Sequence, residues 1–169
     1  MCYGQLDMKA EANATRSCAQ ALAKVLPPGI TVVTSPLQRC ELLAHELIGL
    51  RPDLILGKDV RLQEMHFGQW EGCLWADINP AELAAWTDDF SNYRAGGTGE
   101  NAGQFMARVA SAFDELDPAK DTVWTTHAGV IRAVMLIAQG VKHISRADEW
   151  PIDAPAYGQW CKLELSLRA

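Results

Sequence analysis

Apolar positions recur along the chain in two rhythms. From Glu11 to Leu26, residues Ala14, Cys18, Leu22, Val25 and Leu26 fall three and four apart, which predicts a helix with one buried face, and Pro27, Pro28 and Gly29 stop it. Ile30 to Thr34 is β-branched and reads as a short strand ended by Ser35 and Pro36. The next segment, LQRCELLAHELIGL, places Cys40, Leu43, Leu47 and Ile48 at helical spacing, with Pro36 leading into its first turn. Leu54 to Leu56 reads as another strand, and Pro80 to Tyr93 as a helix with Leu83, Trp86 and Phe90 on one side. A glycine cluster, Gly96, Gly97 and Gly99, precedes a helix from Asn101 to Leu116 with Phe105, Val109 and Phe113 inward. Asp121 to Thr126 suits a strand and Val130 to Gly140 a helix. At the end, Cys161, Leu163 and Leu165 alternate with Trp160, Lys162 and Glu164, which predicts a half-buried strand over Gln159 to Leu165 closing a sheet edge. Only Arg61 to Cys73, RLQEMHFGQWEGC, shows no period; it reads as an ordered loop. Strands alternating with helices predict an α/β protein with a mainly parallel sheet.

Composition adds limits to that picture. The 169 residues suit a single domain, 1–169, with a full core. A net charge of -6 and a pI near 5.1 supply no basic field, so neither nucleic acid nor an anionic membrane is an expected partner. An anionic ligand would have to be held by a few placed arginines. The five cysteines, Cys2, Cys18, Cys40, Cys73 and Cys161, lack paired zinc spacing and read as reduced thiols of a cytoplasmic protein. No signal peptide and no membrane-length apolar run is present.

The candidate chemistry centres on His127. It lies at the C-terminal end of a strand, ahead of Gly129 and a helix start, where open α/β sheets bind ligands and helix N–H groups favour anions. A core histidine bonding a backbone carbonyl would look the same. Arg39 sits in the first turn of a helix, where its charge opposes the dipole, so stability is a poor reason for it; a solvated surface residue is the plain alternative. Glu64 and Glu71 share the irregular loop, and residue type alone does not rank them as proton donors. Glu64, His66 and His127 as metal ligands are a third reading, one that requires an extended segment to bring a carboxylate and a histidine two apart onto one face. Among six tryptophans, Trp70 and Trp75 lie near the loop and are candidates for stacking on a substrate; the others read as core.

Taken in order, SPLQRC, LQEMHFGQWEG, GGTGEN and THAGVIRA resemble the histidine phosphatase superfamily, also called phosphoglycerate mutase-like, over nearly all of the chain. The opening CYGQLD is similar to the α-ribazole phosphatase branch of that superfamily. The resemblance implies a three-layer α/β/α sandwich and a phosphomonoesterase working through a phosphohistidine, with no cofactor and a small phosphorylated substrate. Within the branch, that substrate is α-ribazole phosphate of cobalamin biosynthesis. It implies Arg39 and His127 on the phosphate, Glu64 as general acid, and Tyr3 and Gly4 near the substrate. The chemistry suits those residue types: phosphoryl transfer is mainly positioning and charge neutralisation, for which Arg39 can fork to two oxygens and His127 can donate another bond. Glu64 would protonate the leaving alkoxide, with a pKa raised by burial or by the bound phosphate.

Several positions depart from the family. Its Arg-His-Gly motif, whose histidine is the nucleophile, is absent from the sequence, and His45, His66 and His143 do not replace it. The expectation is a chain lacking the first central strand, about five residues with its phosphate turn, through a start placed too late in the reading frame, a shortened copy or a natural remnant. Such a chain would be catalytically inactive by itself, and its unpaired strand edges would either pair with another copy, giving a homo-oligomer, or aggregate. A broad-specificity phosphatase and a non-catalytic phosphate-ligand-binding protein are the alternatives. Met65 stands where mutases carry an Arg, favouring a hydrolase, while Ala128, Cys40 and Asn101 replace a usual Gly, Ala and Ser.

Overall fold

In the computed structural model, residues 1–164 are described, and they divide into two compact units. One unit comprises residues 7–63, 115–127 and, among the described residues, 155–164; the other comprises residues 1–6, 64–114 and 128–154.

The first unit is built on a three-stranded parallel sheet. Helix α1 (Ala12–Ala23) is followed by strand β1 (Thr31–Thr34), helix α2 (Gln38–Leu50) and strand β2 (Ile55–Lys58), and strand β3 (Thr122–Thr125) completes the sheet in the order β2-β1-β3. Thr34 at the end of β1 is in register with Thr125 at the end of β3, so the C-terminal ends of two adjacent parallel strands lie side by side. Val32 of β1, Ala19 and Leu22 of α1, and Ala44 and Leu47 of α2 share one cluster with Ile30 and Leu54. Leu47 is fully buried there. Leu47→Ala is expected to cost about 2–5 kcal/mol through the cavity it leaves, read as a lowered melting temperature with the α/β circular dichroism spectrum retained. Arg51, just past α2, donates to the carbonyls of Ala23, Leu26 and Pro27 and forks to Asp53, tying off the last turn of α1.

The expected helix of residues 11–26 forms over Ala12–Ala23. Leu22 is buried and Leu26 packs against the same cluster, as expected, but Thr15 and Ala19 take inward positions while Ala14 is exposed and Cys18 half-buried. Val25 is 58 % exposed because the helix ends at Ala23, so its spacing no longer places it on the helical face. The expected terminal strand over Gln159 to Leu165 does not form over residues 159–164; Leu165 lies outside the described residues. Trp160 and Leu163 are 46 % and 39 % exposed, so the alternation in sequence has no buried face behind it. A strand forms only where another backbone takes its hydrogen bonds, and among the described residues the sheet ends at β2 on one side and β3 on the other.

The second unit carries helices α3 (Pro80–Asp88), α4 (Ala102–Asp114) and α5 (Ala128–Ala138). In α4 the inward residues include Phe105, Val109 and Phe113, as their spacing predicts. Helix α3 stops short of Tyr93, at a C-terminus where Asp88 and Asp89 oppose the dipole. Phe90, Ala102 and Ile144 form a core cluster against Trp86, Leu136 and Trp150. No described helix is long and apolar enough to cross a membrane.

Candidate active site

In the sheet unit, β1 runs into Ser35 and Pro36, and α2 starts at once with Gln38 and Arg39. At the end of the neighbouring strand, the Ser35 N–H donates to the Thr125 carbonyl at 3.0 Å. The Thr126 hydroxyl donates to the Leu62 carbonyl at 2.8 Å. Those bonds fix both strand ends, and the next residue is His127. The Arg39 Nε–H donates to His127 Nδ1 at 3.2 Å, and His127 Nε2 lies 2.8 Å from Ser35 Oγ. Cys40 Sγ lies against the same ring, 3.5 Å from Nε2 and 3.7 Å from Nδ1. The histidine is 7 % exposed, while Arg39 is half-buried. Two residues 88 positions apart in sequence, Arg39 and His127, are thus brought into direct contact at the C-terminal ends of adjacent parallel strands, the edge where α/β sheets bind ligands. The guanidinium there presents N–H donors suited to a tetrahedral oxyanion, with the His127 ring beside it.

In the other unit, the loop bearing Glu64 is held on every side. Its carboxylate accepts the Met65 N–H at Oε1 and the Gly129 N–H at Oε2, each at 3.0 Å. Its backbone carbonyl accepts from Gln5 Nε2 and from Arg108 Nη2, at 3.1 and 3.0 Å. Arg108 reaches it while forking to Glu100 at 2.6 and 2.8 Å and lying 4.6 Å over the Phe105 ring. Glu100 in turn accepts the His66 N–H through its side chain and donates its own N–H to the His66 carbonyl. Gly129 is required here by space: a Cβ would lie 2.1 Å from Glu64 Oε1.

Glu71 does different work. Its two oxygens accept four backbone N–H groups, from Gly4, Gln5, Leu6 and Phe67, at 2.8 to 3.1 Å. Burial pushes its carboxyl up, but the four amides outweigh burial and hold it below the ordinary value. An anion so clasped is a structural tie between the N-terminal arm and the loop, and it is poorly suited to donate a proton. The sequence could not rank Glu64 against Glu71; this geometry gives the tie to Glu71 and leaves Glu64 as the candidate donor.

The glycine cluster before α4 turns out to be the counterpart of the acid loop. Gln69 N–H donates to the Gly96 carbonyl, and a Cβ on Gly96 or Gly99 would meet the Phe67 or His66 carbonyl at 2.3 Å. Gly99→Ala is expected to cost about 1–3 kcal/mol by overpacking, with faster amide exchange at Glu100 as its local signature. Gly4 is buried in the same way: a Cβ there would lie 1.7 Å from the Met65 carbonyl. Tyr3 beside it is half-buried. Trp70 is 3 % exposed and donates from Nε1 to Glu82, so it belongs to the core, whereas Trp75 is 41 % exposed and stacks on Trp86. Among the described residues no group of three His, Cys, Asp or Glu side chains is placed to hold a metal ion, which leaves the metal reading of Glu64, His66 and His127 without support. Gln5, Ser35 and Glu100 lie within the quoted stretches without a role assigned to them there, and Arg108 lies outside them all; their contacts single them out.

A family model described as histidine phosphatase superfamily (branch 1) matches residues 5–166. Glucosyl-3-phosphoglycerate phosphatase from Mycobacterium tuberculosis is 34 % identical over 143 residues, covering 81 % of this chain and 61 % of the relative; the chain therefore spans less than two thirds of the length of that protein. The native structure of a mycobacterial glucosyl-3-phosphoglycerate phosphatase superposes with a TM-score of 0.67 at 27 % identity, over 80 % of this chain and 70 % of the other. TTHB049 from Thermus thermophilus gives 0.64 at 29 % identity, over 82 % and 75 %. With the four ordered motifs, the parallel sheet and a family match across nearly its whole length, this chain belongs to the histidine phosphatase superfamily, branch 1.

Proposed function

We propose that this protein is a phosphoric monoester hydrolase whose phosphate-binding residues are Arg39 and His127 and whose general acid is Glu64. The observation that carries this reading is the Arg39–His127 contact at the C-terminal edge of β1 and β3. Phosphoryl transfer asks little of a protein beyond charge neutralisation and positioning, and that pair offers both. Glu64 is held in place by one N–H on each oxygen, and a carboxylate oxygen has a second lone pair that can carry the proton it would deliver.

Two substrate readings follow from different observations. The CYGQLD opening favours α-ribazole phosphate, with Tyr3 and Gly4 near the substrate. The 34 % identical relatives favour a phosphorylated sugar acid, after the printed activity of those proteins. In both, a small phosphorylated molecule is the partner, and no cofactor is needed. The nucleophile of the family's phosphohistidine route lies in an Arg-His-Gly motif, which does not occur in residues 1–169, so a form preceded by a strand bearing it belongs in the assay.

The test is hydrolysis of an aryl phosphate, α-ribazole phosphate and glucosyl-3-phosphoglycerate by the chain as it stands and by a form preceded by such a strand. Turnover by the extended form alone, lost in Glu64→Gln for the alkyl phosphates by about 100-fold or more but retained for the aryl phosphate, supports the assignment. Phosphate binding without turnover in either form would replace it with a phosphate-ligand-binding role.

A further inference from the structure

We propose that Ser35 is a positioning residue for His127, selecting the ring nitrogen that carries the proton and so turning Nδ1 toward Arg39; this rests on the phosphate-binding reading of that pair. The direction of the Arg39 bond points to one tautomer. A guanidinium N–H can only donate, so the 3.2 Å bond from Arg39 Nε makes His127 Nδ1 the acceptor. Nδ1 therefore has no proton, and in the neutral ring the proton sits on Nε2. Nε2–H then needs an acceptor, and Ser35 Oγ is 2.8 Å away.

Ser35 is well made for that task. It is completely buried, and its own N–H is tied to the Thr125 carbonyl, so its Cα is fixed against the strand that leads to His127. Its Oγ also accepts the Leu37 N–H at 3.3 Å; with the Nε2–H, both lone pairs of the hydroxyl are used. The competing neighbour, Cys40, has its Sγ 3.5 Å from Nε2, and its S–H reaches the Thr126 carbonyl at 3.5 Å. Sulfur is the weaker acceptor, and the shorter oxygen contact decides the ring.

The consequence concerns the arriving anion. A protonated phosphate that takes over the Arg39 N–H can donate its own O–H to the His127 Nδ1 so released, and a ring already anchored through Nε2 keeps its plane during that exchange. A ring without the anchor can rotate or place its proton on Nδ1 facing Arg39, and each phosphate bound must first undo that disorder.

The test uses the chain as it stands, labelled with ¹⁵N, and reads the ring nitrogens of its four histidines, with the His127 signals identified by their loss in His127→Gln. The expected result at neutral pH is a single tautomer protonated at Nε2. Ser35→Ala is expected to give a mixture of tautomers and to weaken orthophosphate binding by roughly tenfold, the upper range for one net hydrogen bond. Ser35→Thr, which restores a hydroxyl, is expected to recover both. A wild-type ring protonated at Nδ1 overturns the proposal, and so does a folded Ser35→Ala with unchanged tautomer and unchanged affinity. If Ser35→Ala does not fold, the wild-type tautomer and the Ser35→Thr variant decide. A wild-type His127 that shows the Nε2 tautomer yet ignores orthophosphate counts against the phosphate reading of the site and leaves the hold of Ser35 on the ring standing.

Discussion

Glu71→Gln is expected to loosen the N-terminal arm and lower stability by about 3 kcal/mol, because four backbone donors would face one amide oxygen and an NH₂ group that itself donates. The substitution removes no bulk, so packing cannot account for the loss. Two measurements check it: the melting temperature at neutral pH falls, and the amides of Gly4, Gln5 and Leu6 lose protection against exchange. The pH dependence has a definite sign. The folded protein holds the Glu71 carboxyl below its ordinary value of 4.5, so its contribution is complete above that value and disappears as pH falls through the lower folded value. The gap between wild type and Glu71→Gln should therefore narrow under acid. A gap that stays constant down to strongly acidic pH would show that the charge is not what the amides hold.

Arg39→Ala is expected to weaken orthophosphate binding by about 100-fold, corresponding to the loss of two charge-assisted hydrogen bonds. Stability should move the other way or not at all. Arg39 stands in the first turn of α2, where a cation opposes the helix dipole, and its removal relieves that repulsion. Arg39→Lys keeps the charge and loses the planar fork, so it should recover only part of the affinity. Calorimetric titration together with thermal melting checks both halves. An affinity that falls only in step with a falling melting temperature would reduce Arg39 to a structural residue.

The sheet was legible because its punctuation is local. Ser35 and Pro36 end β1, Pro36 admits a helix start, and Gly129 follows His127, so both strand ends and Arg39 are located by turn chemistry within a few residues. The apolar spacing of α4 fixed its inward face in the same way. Where the outcome depends on a partner distant in sequence, pattern carried less. The alternation at Gln159–Leu165 describes a surface that a strand could bury, but no backbone edge takes residues 159–164. Helix α1 stops at Ala23, so Val25 falls outside it although the apolar spacing continues. Glu64 and Glu71 lie seven positions apart in one loop; residue type does not rank them, the resemblance points to Glu64, and only the fold shows the four amides that clasp Glu71. Ser35, read in sequence as the end of a strand, acquires its relation to His127 from the register of β1 with β3.

The most direct test of the central claim is a crystal structure of this chain with orthovanadate, a tetrahedral oxyanion that takes the place of phosphate. The expected result is vanadate oxygens within hydrogen-bonding distance of the Arg39 guanidinium and the His127 ring, with the Arg39–His127 bond given up to the anion. Vanadate bound elsewhere, with the Arg39–His127 contact and the ring of His127 undisturbed, would contradict the assignment of this site.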